Sequence, residues 1–242
     1  MTETVSYVGK DLEAMSFAEN YHRWLLEVFR PYLGTRVVEV GAGTGAMSEL
    51  LLESEIESLA LVEPSKEMFR LLCERTATHD VSTKVVTYNN VFASVAEAIK
   101  ADLNPDSVIY VNVLEHIEND EAELKIIRDV LPIGGRAFVF VPALAWLYGS
   151  LDNQIGHFRR YTKKELENKC RRAGFRIIAS RYFDVVGMLP WWVKYCLFRS
   201  TKMESGAVEF YDRMIVPVVK HVELTITPPI GKNVLLIAEK SE

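Results

Sequence analysis

The chain has 242 residues, of which 49% are apolar, so it can bury a substantial core within one α/β domain of ordinary size. Its formal charge of -5 lacks the electrostatic footprint of a nucleic-acid-binding protein, and its three cysteines show no C-x-x-C spacing, which argues against a zinc site and a disulfide framework. It carries no basic leader and no apolar run of roughly 18 residues, so we predict a cytoplasmic protein that binds no nucleic acid and spans no membrane.

The first predicted element is a helix within residues 12–33. Its apolar residues recur at spacings of three and four, and Pro31 marks its end. A helix ahead of the first strand can cover a ligand cleft, so we interpret residues 1–34 as an N-terminal cap. Tyr21 and Trp24 lie on the apolar face of this helix, where they either approach a bound ligand or pack on the sheet.

The segment RVVEVGAGTGA, which follows the helix, predicts a strand that leads into a nucleotide-binding turn. Its valines suit a strand buried on both faces of a parallel sheet, and three glycines follow within five residues. The next residues predict a helix, so free backbone N–H groups at its start would face a bound ligand. Gly41, Gly43 and Ala46 also satisfy the dinucleotide spacing G-x-G-x-x-A, with Glu63 about 20 residues further on.

Glu39 bears on which nucleotide binds. A carboxylate two residues before Gly41 would repel a pyrophosphate but attract the ammonium of a methionine moiety, which leaves a nicotinamide cofactor as the alternative. The sequence EVGAGTG resembles the first motif of class I S-adenosylmethionine (SAM) methyltransferases. The segments FAENYHRWLLEVFRPYLG, YVNVLEHIENDEAELKIIRDVLPIGGRAFVFVPA and WLYGSLDNQIGHFRRYTKKELENKCRRAGFRIIASRYF resemble small bacterial members of the same family.

Polar residues at the ends of later strands complete the predicted cofactor site. Glu63 ends the second predicted strand and is placed to accept ribose hydroxyls, because ligands of open parallel sheets bind at the carboxyl ends of the strands. Asn112 ends the fourth predicted strand beside the same cleft. The resemblance implies an acid near position 90 that binds the adenine amino group; here Asn90 would do so through its side-chain carbonyl. The predicted cofactor-binding residues are Glu39, Gly41, Gly43, Glu63, Asn90 and Asn112.

Residues 143–161 form a loop that leaves the sheet at the same edge, where substrate groups usually lie. The loop holds side chains able to act as a general base, a hydrogen-bond donor or an anion clamp. Alternatively, Asp152 and the adjacent arginines tie a long loop to the body of the protein. His116, one turn into a helix, is interpreted as a packed or capping group. The predicted catalytic residues are Tyr148, His157, Arg160 and Tyr161, with His157 as the general base for a hydroxyl acceptor.

Residues 183–230 form an apolar insert before the last strand, and we expect helical pieces that act as a lid on the substrate pocket. Within the insert, residues 185–198 place Trp191 and Trp192 beside Lys194, a combination that suits the boundary between lipid headgroups and acyl chains. The segment is too short to span a bilayer. A peripheral membrane contact or a lipid-linked acceptor is therefore the alternative to a simple lid.

The resemblance implies one domain over residues 1–242, with an α/β Rossmann-like fold that has a seven-stranded, mainly parallel sheet, an antiparallel last strand and helices on both faces. It also implies a SAM-dependent methyltransferase that requires no metal and acts on an oxygen or nitrogen of a small-molecule, sugar or lipid-linked acceptor. A catalytically silent SAM-binding protein and an NAD(P)-dependent oxidoreductase are the alternatives. The predicted strands cover residues 37–40, 59–62, 84–88, 107–112, 137–141, 176–182 and 233–239.

Overall fold

The computed structural model describes residues 18–77 and 82–242, which form one seven-stranded sheet with helices packed around it. Every predicted strand is present, and its ends differ from the predicted ends by no more than one residue. The strands are β1 Arg36–Val40, β2 Ser58–Val62, β3 Lys84–Tyr88, β4 Ser107–Val111, β5 Arg136–Pro142, β6 Phe175–Phe183 and β7 Asn233–Lys240.

Apart from the first helix, which precedes β1, the described helices lie in the connections between the strands, as a mainly parallel sheet requires. Among the described residues they are α1 Glu19–Phe29, α2 Ala46–Leu52, α3 Lys66–Thr76, α4 Phe92–Leu103, α5 Asp120–Val130, α6 Ser150–Gln154, α7 Lys163–Arg172, α8 Met188–Trp191, α9 Ser205–Phe210 and α10 Val216–Thr225.

The strand order is β3-β2-β1-β4-β5-β7-β6. β1 lies between β2 and β4 and is parallel to both, and the chain leaves β1 toward β2 but leaves β4 toward β5, in the opposite direction along the sheet. A ligand binds outside the carboxyl ends of the strands at such a switch point. β7 runs antiparallel to both of its neighbours, β5 and β6, which confirms the predicted fold.

The core consists of two apolar layers, one on each face of the sheet. Val38 and Val40 of β1 belong to one layer and Val37 to the other, because successive strand residues point to opposite faces. Helix α1 covers the second layer, where the Trp24 ring stacks on Phe183 with ring centroids 3.8 Å apart. Trp24 is fully buried there, so the packing role that we considered for this residue is the one it has in the structure.

Two helices differ from the sequence predictions. Helix α1 begins at Glu19, and the predicted start of the helix at residues 12–17 lies outside the described residues. Helix α4 was not predicted, although its buried residues recur at the spacing of a helix face. Those residues are Phe92, Ala96, Ile99 and Leu103.

The insert is anchored to the rest of the fold by buried acids. The Asp184 carboxylate lies 2.8 Å from the Lys232 ammonium, and Glu223 accepts the backbone N–H groups of Asp184 and Val185 at 3.1 and 2.8 Å. Asp212 accepts the backbone N–H of Tyr21 at 2.8 Å, which joins the insert to α1. The insert is therefore helical and tied to the rest of the fold, and its role as a lid stays a prediction. No helix among the described residues is long and apolar enough to cross a membrane.

Candidate functional site

The turn after β1 packs closely against the ends of the two neighbouring strands. The Gly41 N–H donates to the Val62 carbonyl at 2.8 Å, and a Cβ added to Gly41 would lie 2.4 Å from Cγ2 of Val113. Gly41 has φ of 69° and Gly43 has φ of 55°, conformations that glycine adopts without strain. Both predicted glycines are thus needed for backbone shape, and Gly41 is needed for close packing at the switch point as well.

Glu63 connects the end of β2 to the glycine turn. One of its carboxylate oxygens accepts the Gly43 N–H at 2.9 Å, and the other accepts the Ser65 N–H at 2.8 Å. Burial raises the pKa of Glu63, and the two N–H donors partly oppose that rise. A carboxylate offers about four lone-pair sites, so Glu63 keeps acceptor capacity on both oxygens after these two bonds.

Glu39 is buried at the end of β1, with 3% of its surface exposed. It accepts a 2.6 Å hydrogen bond from the Ser48 hydroxyl of α2. Burial raises its pKa to about 8; the Ser48 hydrogen bond opposes the rise, and the charge of Glu63 adds to it. Glu39 is therefore mostly protonated at neutral pH in the unliganded protein, and a nearby cation would favour its charged form.

The predicted asparagines occupy the ends of β3 and β4. Asn90 is exposed, and its side-chain oxygen accepts the Val91 N–H at 2.9 Å. Asn112 has φ of 53°, and its N–H donates to the Phe140 carbonyl at 2.8 Å. Sequence reasoning missed Asn89, whose amide donates to the Glu63 carbonyl at 2.9 Å and so joins the ends of β3 and β2.

Asp152 organises the loop after β5. It is fully buried and accepts the Gly149 N–H at 2.8 Å, His157 Nδ1 at 2.8 Å, and Nε and Nη2 of Arg160 at 2.9 and 3.0 Å. Burial raises the Asp152 pKa, but the hydrogen bonds from His157 and Arg160 outweigh burial and hold this pKa below its usual value. Arg160 also donates to the Ala143 carbonyl at 3.1 Å, so it ties the loop to β5.

The other ring nitrogen of His157 faces a second buried acid. Nε2 lies 3.7 Å from Oε1 of Glu115, which is fully buried in the 3₁₀ turn Leu114–His116 after β4. The His116 and His157 rings lie edge to face, with centroids 4.5 Å apart. Glu115, His116 and His157 each offer one ligand atom, and these atoms lie within 4.8 Å of one another.

The electrostatics of this group follow from burial. Burial raises the Glu115 pKa to about 7, against the attraction of His157. Burial, together with the charge of His157, lowers the His116 pKa to about 4. His116 is therefore neutral at physiological pH, and the charges that favour a carboxylate at position 115 are those of His157 and Arg160.

The two predicted tyrosines have different positions. Tyr148 is 37% exposed, and its hydroxyl donates to the His157 carbonyl at 2.6 Å. Tyr161 is fully buried, and its hydroxyl donates to Asp120 at 2.8 Å. Asp120 also pairs with Arg159 and Lys169, each at 2.9 Å. In the unliganded protein Tyr161 thus belongs to a buried network between loop and body, whereas Tyr148 borders a cavity.

The cofactor residues predicted at the strand ends lie along the carboxyl edge of β1 to β4. Of the predicted catalytic residues, His157 and Arg160 both hydrogen-bond to Asp152. Sequence reasoning missed Glu115 and set His116 aside. An acid beside a histidine immediately after β4 was a usable signal, but His157 lies 41 positions after His116 in the sequence, and only the fold brings them together.

Residues 12–180 match the sequence profile of a methyltransferase domain, which is more than half of the chain. The chain belongs to this methyltransferase domain family. It is a SAM-dependent methyltransferase, and this membership overturns the nicotinamide-dependent alternative. A search of curated protein sequences gave no match.

Solved structures of similar fold agree with this family. A SAM-dependent methyltransferase from Archaeoglobus fulgidus is 22% identical, with 95% of this chain and 98% of that chain covered and a TM-score of 0.59. A Thermotoga maritima methyltransferase described as a possible histamine N-methyltransferase is 17% identical, with coverage of 97% and 96% and a TM-score of 0.57. A cyclopropane synthase from Mycobacterium tuberculosis is 13% identical, with coverage of 89% and 82% and a TM-score of 0.58. At these identities the likeness concerns the fold alone.

The residues of this chain fit SAM. Glu63 has unused acceptor capacity for two ribose hydroxyls. Glu39 provides a buried carboxyl group whose charged form the ammonium group of SAM would favour. Gly41 and Gly43 keep side chains out of the turn between these two acids.

We expect the Glu63→Ala substitution to weaken S-adenosylhomocysteine binding by roughly 30- to 1,000-fold, because it removes two charge-assisted hydrogen bonds worth about 2–4 kcal/mol together. Calorimetry measures the dissociation constant. Glu49→Ala, which removes a partly exposed acid from α2, serves as the control. An unchanged dissociation constant in Glu63→Ala would contradict the ribose assignment.

Glu39 should make cofactor binding depend on pH. The pKa of its carboxyl is about 8, above the ordinary value of 4.5, so it binds a proton below pH 8 and releases it when the ammonium of the cofactor arrives. Affinity for S-adenosylhomocysteine should therefore rise from pH 6 toward pH 8, by up to about tenfold per pH unit, and the Glu39→Gln variant should lose this slope. Calorimetry in buffers of different ionisation enthalpy measures the released proton; equal slopes in both proteins would refute the assignment.

Proposed function

We propose that this methyltransferase acts on an oxygen or nitrogen of a small-molecule, sugar or lipid-linked acceptor, and that His157 accepts the proton of the acceptor group. SAM, when bound, supplies a methyl group that is already activated by its sulfonium. The remaining work of the protein is to hold the acceptor in line with that methyl group and to remove a proton. We propose Glu39, Gly41, Gly43, Glu63, Asn90 and Asn112 as the cofactor-binding residues.

The pairing of His157 with Asp152 supports this role. Asp152 keeps a low pKa and accepts hydrogen bonds only, so the proton of a neutral His157 lies on Nδ1. That tautomer leaves the lone pair on Nε2, the nitrogen turned toward the turn after β4. Arg160 holds Asp152 through two hydrogen bonds, so we propose it as a positioning residue. The buried hydroxyl of Tyr161 fits the same supporting role better than a direct one.

A cavity beside Tyr148 is the proposed acceptor entrance. It has a volume of about 330 Å³, which is large enough for a small ligand. Its lining comes from the loop of residues 143–161, which we call the acceptor loop, and from the insert, which supports the lid interpretation. The Trp191 indole N–H donates to the Leu147 carbonyl at 3.1 Å, and Ser150 donates to the Tyr195 carbonyl at the same distance. The lining residues are Tyr148, Gly149, Ser150, Tyr195, Cys196 and Arg199.

We expect His157→Ala to lower turnover by about 10²- to 10⁴-fold while S-adenosylhomocysteine binding stays unchanged. Turnover is measured as S-adenosylhomocysteine formed from SAM with fractionated cell extract, and then with the purified acceptor. His221→Ala, which removes an exposed histidine of α10, is the matched control. Full turnover of His157→Ala across pH 6 to 9 would make His157 structural, and no product in any fraction would favour a catalytically silent protein.

We also propose that the insert contacts a lipid surface peripherally. Large apolar side chains of the insert are exposed, including Leu189 at 69% and Phe198 at 74%, and they recur every four residues from Phe210 to Ile226. Such a stripe on a helix is typical of binding at a membrane interface. Trp191 does not belong to it, because its ring packs under Arg160 with the guanidinium carbon 4.8 Å from the ring centroid. This insert surface consists of Leu189, Trp192, Leu197, Phe198, Phe210, Met214, Val218, Val222 and Ile226.

The double variant Leu189→Ser with Phe198→Ser should weaken vesicle binding by at least about tenfold, because each fully buried apolar side chain contributes roughly 1.5–3 kcal/mol. Co-sedimentation with phosphatidylcholine vesicles containing phosphatidylglycerol measures binding, which should weaken as salt rises. Ile133→Ser is the control, since Ile133 is equally exposed but lies at the opposite end of β5. No sedimentation of the unmodified protein at low salt would leave the insert as a lid only.

A further inference from the structure

The turn after β4 buries an acid that the fold does not satisfy. Glu115 is fully buried, and neither of its carboxylate oxygens accepts a hydrogen bond from another residue. A buried carboxylate without partners is costly, and native proteins rarely keep one unless it has a function. Two histidines, His116 and His157, are the groups that face it. We call these three residues the Glu115 cluster.

Both histidines are held by contacts outside the cluster. His157 Nδ1 is fixed by Asp152 at 2.8 Å, so Nε2 points at Glu115 Oε1, 3.7 Å away. The His116 ring hydrogen-bonds to the backbone of Gly156. A metal-binding histidine almost always has such an outer partner, a carboxylate or a backbone carbonyl, because that partner fixes the ring and its tautomer.

The charges around the cluster leave room for a cation. The negative charge of Asp152 is matched by Arg160, whose Nε and Nη2 bind Asp152 and whose Nη1 binds the Ala143 carbonyl. Arg160 therefore does not donate to Glu115. When His157 is neutral, its Nε2 lone pair faces a carboxylate that accepts no hydrogen bond from another residue. A positive ion between these two acceptors would stabilise the arrangement.

We propose that Glu115, His116 and His157 bind a divalent transition-metal ion such as Zn²⁺. Two imidazoles and one carboxylate form a three-residue ligand set that suits zinc or iron and leaves coordination positions open, whereas magnesium and calcium prefer oxygen ligands alone. Ligand atoms at about 2.1 Å from zinc in tetrahedral geometry lie roughly 3.4 Å apart. The 3.7 Å separation is close to that value, and ligand atoms that lie within 4.8 Å of one another would have to approach by no more than about 1.4 Å.

This site departs from our sequence-based prediction that the enzyme has no metal. It follows β4 directly, at the edge of the sheet where Asn112 and the glycine turn lie. What the ion would do there rests on the proposed function: an acceptor hydroxyl bound at an open coordination position would have a lowered pKa and would release its proton to water. In the loaded enzyme His157 then acts as a ligand, and in the metal-free enzyme it acts as the base.

Metal binding is tested on the full-length protein after removal of metal with a chelator, without any acceptor. Titration with Zn²⁺ by calorimetry should give one ion per chain, and Co²⁺ should produce visible absorption bands of a low-coordinate site. Glu115→Gln keeps the shape of the side chain and removes its charge. We expect it to weaken Zn²⁺ by at least about 100-fold, since even outer contacts of metal ligands are worth 10- to 100-fold.

Two further variants make the test specific. His157→Gln should give the same loss as Glu115→Gln, and His221→Ala should leave Zn²⁺ binding unchanged, because His221 is exposed and lies outside the cluster. S-adenosylhomocysteine binding, measured on the same samples, reports separately on the cofactor site. The proposal is overturned if the unmodified protein binds Zn²⁺ no more tightly than about 1 mM, or if Glu115→Gln and His157→Gln bind it as the unmodified protein does.

Discussion

Buried carboxylates at the carboxyl edge of the sheet constrain the whole site, because each loses its hydration and must find donors within the protein. Glu63 obtains them from backbone N–H groups and so joins the glycine turn to β2. Asp152 obtains them from Arg160, His157 and a backbone N–H, and so folds the acceptor loop around itself. Glu115 obtains none from its neighbours. Glu63 and Asp152 therefore hold the parts of the site together, and Glu115 is the acid for which we propose a bound metal ion as the partner.

The sequence predicted the sheet almost to the residue, because buried parallel strands are short apolar runs whose ends are marked by glycine, proline and polar residues. The positions of the proposed cofactor residues Glu39, Glu63 and Asn112 were predictable for the same reason, since these residues lie at or next to strand ends. Helix α4 was missed, although the spacing of its apolar residues is that of a helix face. The different surroundings of Tyr161, which donates to Asp120, and of His157, which faces Glu115, follow only from tertiary contacts. Local pattern identifies the candidate side chains, but the pairings of Tyr161 with Asp120 and of His157 with Glu115 join residues more than 40 positions apart and depend on the fold.

The insert has an inner face that contacts the acceptor loop and an outer face that is exposed. Its inner residues bind the acceptor loop through Trp191, and its outer residues are apolar and exposed. An enzyme whose acceptor carries a lipid needs such a two-faced element, since one face must rest on the lipid surface while the other closes over the polar part of the substrate. The π-helical turns at Trp192–Leu197 and Tyr211–Ile215 are of the kind that accumulate at functional sites.

The position of β7 determines the order in which the two halves of the molecule can form during synthesis. β7 lies between β5 and β6 although it follows both in the chain, and within the described residues β6 pairs with β7 alone. At a synthesis rate of about 5–20 residues per second, β6 therefore waits for seconds before its partner leaves the ribosome. β1 to β4 need no residue beyond Val111 to pair with one another. A nascent chain can thus pair β1 to β4, which carry the proposed cofactor residues, before β6 and β7 have paired.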